Sequence, residues 1–145
     1  VIKELVTYIA TQASLTVGST IEAGPFRQES GETCIAIIES GGLDKRYTSG
    51  LTSSENPRWE QMIQIISRGP SYQQSRAAAL AVYAVLQQRG KIQLPVLPTG
   101  LPGVQGNQYW IESVASLPRP QHTGQDPTGG YLFTFNPLLH VLLTL

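Results

Sequence analysis

The chain has 145 residues, of which 41% are hydrophobic, enough for one core in a single compact domain spanning 1–145. Ten Lys and Arg balance ten Asp and Glu, and charged residues make up only 14% of the chain, against roughly a quarter in typical domains. With no basic excess to neutralise phosphates, the composition argues against tight nucleic-acid binding. It suits either a subunit that buries much of its surface or an ordinary surface rich in Gln, Ser and Thr.

Residues 2–13 are predicted to form a helix, because Ile2, Leu5, Val6, Ile9 and Ala13 recur at helical spacing. Residues 20–25 are a short strand candidate, and 27–32 a polar turn region. The β-branched run over 33–39 predicts a buried strand. A long loop rich in Gly, Ser and Thr covers 40–57, of a length that is usually functional or ordered only on binding. The strand signal is clearest over 58–68, with Trp59, Ile63 and Ile65 on one face and Glu60, Gln64 and Arg68 on the other.

Ser71 followed by Gln74 matches a capping box and predicts the start of a helix over 72–89, with Gly90 as its stop. Its apolar surface is wide enough to suggest burial on more than one side. Residues 91–107 are dense in Gly and Pro and hold at most one short strand, near 92–96. Strict alternation over 108–117 places Tyr109, Ile111, Ser113, Ala115 and Leu117 together, opposite Trp110, Glu112, Val114 and Ser116. Residues 121–130 read as a polar turn region, 131–136 as an aromatic strand, and 138–145 as an apolar tail beyond Pro137. The expected class is α+β: a mostly antiparallel β-sheet with two α-helices packed on one face.

Little in the chain points to chemistry. Cys34 is the single cysteine, which excludes an internal disulfide and a cysteine-based zinc site, and its apolar surroundings suit a buried structural thiol. His122 and His140 form no H-x-x-x-H pair. There is no G-x-S-x-G elbow and no phosphate-binding G-x-x-x-x-G-K-[ST] loop. Asp126-Pro127 suits a turn in which Asp bonds its own backbone, and no D-x-D-x-D series accompanies it. Glu60 and Glu112 fall on outward strand faces, where solvated or interfacial carboxylates are the default over a catalytic pair. The expectation is a protein without enzymatic activity, cofactor or metal. Residue 1 onward shows no charged head before a long apolar run, and no stretch approaches a membrane span, so cytoplasmic synthesis without membrane insertion is expected.

Three features together resemble the tail terminator family of long-tailed bacteriophages, also labelled tail completion or minor capsid proteins. They are the N-terminal amphipathic helix, the passage Pro57-Arg58-Trp59-Glu60 through Ile65-Ile66-Ser67-Arg68-Gly69-Pro70-Ser71-Tyr72 into Arg76 and the Ala-rich helix, and the turn Leu117-Pro118-Arg119-Pro120 leading through Gly124-Gln125-Asp126 to Tyr131-Leu132-Phe133-Thr134-Phe135-Asn136. The likeness covers most of the chain; the loops at 40–57 and 91–107 lie outside it. It implies a structural virion protein of the tail or neck. Such a protein forms a homo-oligomeric, six-fold ring at the head-proximal end of the tail, halts tail-tube polymerisation and docks the head connector. DNA meets it only in passing through the ring.

Arg46, Arg58 and Arg68 flank the 40–57 loop or the strand it feeds, and are candidate subunit or tail-tube contacts; reversing their charge is expected to block assembly and leave the monomer folded. Trp110 is a candidate aromatic interface anchor. The alternatives are another neck or head-completion connector subunit, a small-ligand-binding α+β domain, and a plain dimerisation module.

Overall fold

A computed structural model describes residues 1–26, 33–41, 58–87, 90–127 and 129–144. The elements in chain order are α1 (Ile2–Ala13), β1 (Ile21–Ala23), β2 (Cys34–Gly41), β3 (Arg58–Gly69), α2 (Tyr72–Leu86), β4 (Ile92–Gln93), β5 (Gln108–Ser116), β6 (Gln121–Gln125), β7 (Tyr131–Phe135) and β8 (Leu138–Thr144). Residues 27–32, 42–57 and 88–89, which include most of the expected first turn and of the long loop, lie outside the described residues.

Both helices follow from their sequences. In α1 the buried stripe is Ile2, Leu5, Val6, Ile9 and Ala10, and Ser14 closes the helix in the left-handed region at φ 56° with its N–H on the Ala10 carbonyl. In α2 the Ser71 hydroxyl accepts the Gln74 N–H at 3.2 Å, satisfying one first-turn donor. The buried face of α2 is narrow: Ser75, Ala79, Val82, Val85 and Leu86. Ala77, Ala81 and Ala84 are exposed, so the helix packs on one side and not on several.

The strands form one sheet in the order β1-β2-β3-β8-β5-β4, with β7 also on β3 and β6 on β7. β1 and β2 are parallel, and the remaining pairs are antiparallel. β7 and β8 are in effect one long strand broken at Asn136-Pro137, because Phe135 pairs with Ile65 and Leu138 with Met62 along the same β3. Its other edge takes β5 against β8 and β6 against β7, which are again one path, broken at Leu117-Pro118-Arg119-Pro120. β3 alone runs through without interruption, from the pairing with Leu142 at Arg58 to that with Tyr131 at Gly69.

The expected α+β class does not hold. The described residues are mostly β, 44% strand, in a curled mixed sheet. Two segments account for the difference. The polar stretch Gln121-His122-Thr123-Gly124-Gln125 lacks the apolar alternation that marks a strand, yet it is held as one by its ladder with β7. The apolar stretch 138–144 is a central strand between β3 and β5, and its Leu139 and Val141 are buried.

The core lies between the helices and the sheet face carrying Ile21, Ile35, Ile37, Ile63, Ile65, Phe133, Phe135 and Val141. Both helices pack toward this face, α1 on β1, β2 and α2, and α2 on β2, β3 and β7. No helix among the described residues is long and apolar enough to cross a membrane.

Candidate functional site

The sheet face opposite the helices is where polar side chains gather. Alternation along β3 sends Arg58, Glu60, Met62 and Gln64 to that face, away from Ile63 and Ile65. The cross-strand partners then follow from register. Arg58 pairs with Leu142, which pairs with Trp110, and Glu60 pairs with His140, which pairs with Ser113.

Strict alternation in β5 would put Ser113 on the core side. A register shift between Ile111 and Ser113 leaves Glu112 as an extra residue, a β-bulge. As a result Glu112 reaches Arg58 and Ser113 reaches His140 on one face, and Val114 turns in against the core.

Two short networks result. The Arg58 Nε–H donates to both Glu112 carboxylate oxygens, at 3.2 and 3.1 Å, and Lys91 Nζ stands 3.9 Å from the same carboxylate. His140 Nε2 is 3.4 Å from Glu60 Oε1, and His140 Nδ1 is 3.0 Å from Ser113 Oγ. A neutral ring with its proton on Nε2, toward the carboxylate, leaves Nδ1 to accept the Ser113 hydroxyl. Trp110 and Leu142 lie beside the Arg58–Glu112 pair, with Trp110 half-buried.

The Ser113–His140–Glu60 line has the connectivity of a general-base relay. It lies across three adjacent strands, with Ser113 exposed and the Glu60 carboxylate largely covered. Among the described residues, no group of three or more His, Cys, Asp or Glu gathers to hold a metal ion. What the arrangement does chemically is to fix charged and aromatic side chains on one face of the sheet.

Of the residues singled out in the sequence, Arg58 and Trp110 belong to this face. Arg46 lies outside the described residues. Arg68 is placed elsewhere: its side chain is 8% exposed, its Nη1 is 3.5 Å from Asp126 Oδ2, and its guanidinium sits 4.6 Å from the centre of the Phe26 ring. Its charge is engaged inside the fold and not offered to a partner. The Asp126 carboxylate also accepts the Gly130 N–H at 2.7 Å, closing the β6–β7 turn. Gly130 is required there, since a Cβ would lie 2.9 Å from Arg68 Cγ.

Sequence reasoning missed Lys91, Ser113 and His140 as members of this face. The signal for His140 was present in Leu138-Leu139-His140-Val141-Leu142, a period-two pattern hidden by the apolar residues on both sides of it.

Elsewhere Tyr72, His122, Tyr131 and Phe133 form an aromatic cluster at the start of α2, with ring centres 5.0 to 6.3 Å apart. A scan against protein-family models matches nothing, and neither does a search of curated proteins.

Proposed function

We propose that this chain is a non-enzymatic structural subunit that assembles into a ring at the head-proximal end of a phage tail, ends tail-tube polymerisation there and joins the tail to the head connector. The observation that carries the reading is the sheet face turned away from α1 and α2, with its Arg58–Glu112–Lys91 and Glu60–His140–Ser113 networks beside Trp110. Ion pairs at a protein surface contribute modestly to folding by themselves. Fixing the side chains before contact lowers the entropy lost when a partner docks. A sheet face with an aromatic anchor and pre-positioned charges suits protein contact.

The segments that carry the family resemblance add support. The 57–72 and 117–136 passages are distant in sequence, yet β3 and β7 pair directly, and α2 packs on both. The resembling residues therefore form one contiguous unit, as a shared fold requires.

The test is to remove this chain from the phage that produces it and image the lysate by electron microscopy. Free tails of irregular or excess length beside full heads are the expected result. Normal-length tails beside detached, leaking heads would move the protein to the connector side of the neck. Intact particles would overturn the reading.

A further inference from the structure

The uncharged segment 92–107 does more than connect β4 to β5. It has almost no regular structure, yet its tip is held. Thr99 Oγ1 accepts the Leu101 N–H at 3.2 Å and donates to the Val104 carbonyl at 2.9 Å, and the Val104 N–H bonds the Leu101 carbonyl at 3.2 Å. At the neck, the backbone of Gly106 passes so close to Leu97 that a Cβ would lie 2.0 Å from the Leu97 carbonyl oxygen. The two arms of the segment are thus pressed together into a finger. The finger turns its apolar side chains outward: Leu101 is 64% exposed, Val104 52% and Val96 48%. Exposed apolar groups in a fixed conformation mark a contact surface, because the ordering entropy has already been lost.

The same chain carries a surface of matching character. Where α1 diverges from the β4–β5 edge, a groove of about 350 Å³ opens between Thr7, Tyr8 and Thr11 on one side and Leu94, Val96 and Gln108 on the other. Among the described residues, no charged side chain lines it. A second recess continues beyond Thr7 toward Val17, and Lys3 and Glu22 border it.

We propose that the finger of one copy docks, through Leu101 and Val104, into the α1 groove of the next copy. The proposal rests on the ring reading above and names its subunit contact. Charge matching favours a second copy as the occupant. Residues 92–107 contain no Asp, Glu, Lys or Arg, and the described lining of the groove offers none, so contact between these residues removes no charge from water. Finger and groove are different patches on one chain. Joined in one direction around the assembly, they make a head-to-tail contact, the kind that generates a ring where its rotation closes.

The experiment uses the full chain with Cys34→Ala, so that only introduced thiols react. Two reduced single variants, Leu101→Cys and Thr11→Cys, are treated with a mild oxidant separately and, in parallel, as a mixture. Disulfide-linked pairs that form only in the mixture, together with a loss of self-association of about tenfold or more in Leu101→Asp by analytical ultracentrifugation, are the expected result. An unchanged melting temperature in Leu101→Asp shows that the fold is intact, since the side chain is exposed. Tip-to-tip cross-links in Leu101→Cys alone would overturn the proposal. Assembled wild-type rings with no mixed cross-link would overturn it too, and leave the ring reading standing. Wild-type chain that stays monomeric even with tail tubes would remove both.

Discussion

Ser67 and Ser75 are tied to each other across the interface between β3 and α2. The Ser67 hydroxyl donates to the Ser75 carbonyl at 2.7 Å, the Ser75 hydroxyl donates to the Ser67 carbonyl at 3.2 Å, and the two hydroxyls are 3.0 Å apart. Both residues are fully buried. Each polar group satisfies one on the other element, so the pair fixes where α2 sits on the sheet. Buried hydroxyls without such partners would cost stability.

Ser67→Ala and Ser75→Ala should each destabilise the chain by about 1–2 kcal/mol. The double variant should cost less than the sum by at least about 0.5 kcal/mol, because either single change already removes the contact between the two hydroxyls. Urea denaturation of the four proteins measures this coupling. Additive losses would show that the hydroxyls act separately.

Arg58 and Arg68, ten residues apart on the same strand and facing the same side, should respond oppositely to charge reversal. Arg58→Glu alters a pair that is 37% exposed at the arginine, and should change folding stability by no more than about 1 kcal/mol. Its effect should appear in assembly. Arg68→Glu places a like charge against Asp126 in a buried setting, and should cost about 3–5 kcal/mol of stability. Chemical denaturation and particle assembly, measured on the same two variants, separate these outcomes. A stable Arg68→Glu chain that fails only in assembly would contradict the placement of Arg68.

Burial pushes the Cys34 thiol above its ordinary value of 9.0, outweighing the opposing influence of Arg68. The unfolded chain therefore releases this proton at lower pH than the folded one. Between the two pKa values the folded state binds more protons, so stability falls as pH rises, beginning near 9.0. The contribution is fully present below that point and is lost as pH rises through the folded value. Wild type minus Cys34→Ala, followed by denaturation from pH 7 upward, isolates the effect from the lysines and tyrosines. The difference should narrow in wild type's disfavour at alkaline pH. A pH-independent difference would show that the thiol titrates equally in both states.

The helices were legible because their evidence is local. Ser71 and Gln74 announce the start of α2, and the spacing of Ile2, Leu5, Val6 and Ile9 defines the buried side of α1. β3 was legible for the same reason, through the alternation around Ile63 and Ile65. What could not be read was decided by partners far along the chain. His122 and Gln125 lie in a strand only because β7 runs beside them. Leu138 to Thr144 carry apolar residues on both faces, since Leu138 and Leu142 contribute to the outer side, and a period cannot be seen in such a run. The bulge at Glu112 leaves no mark in composition, but it reverses the facing of Ser113 and Val114 until a second shift before Ser116 restores it. Arg58 and Trp110 were placed on the correct strands by pattern, while their neighbours Ser113 and His140 needed the register of three strands at once.

The unbroken course of β3 gives the molecule a mechanical axis. The two strand paths beside it are interrupted at 117–120 and at 136–137, nearly level with each other. One end of the sheet holds β4, β5 and β8, and the other holds β6 and β7 with α2 beside it. Along the direction of the strands, β3 is the tie that spans the seam through a single stretch of extended backbone. Tension applied between the Trp110 surface and the far turn at Asp126 would travel down β3, shearing its antiparallel ladders lengthwise so that many hydrogen bonds resist together. A pull across the strands would instead meet the ladders one bond at a time, and the seam at Pro137 is where such a peel would begin.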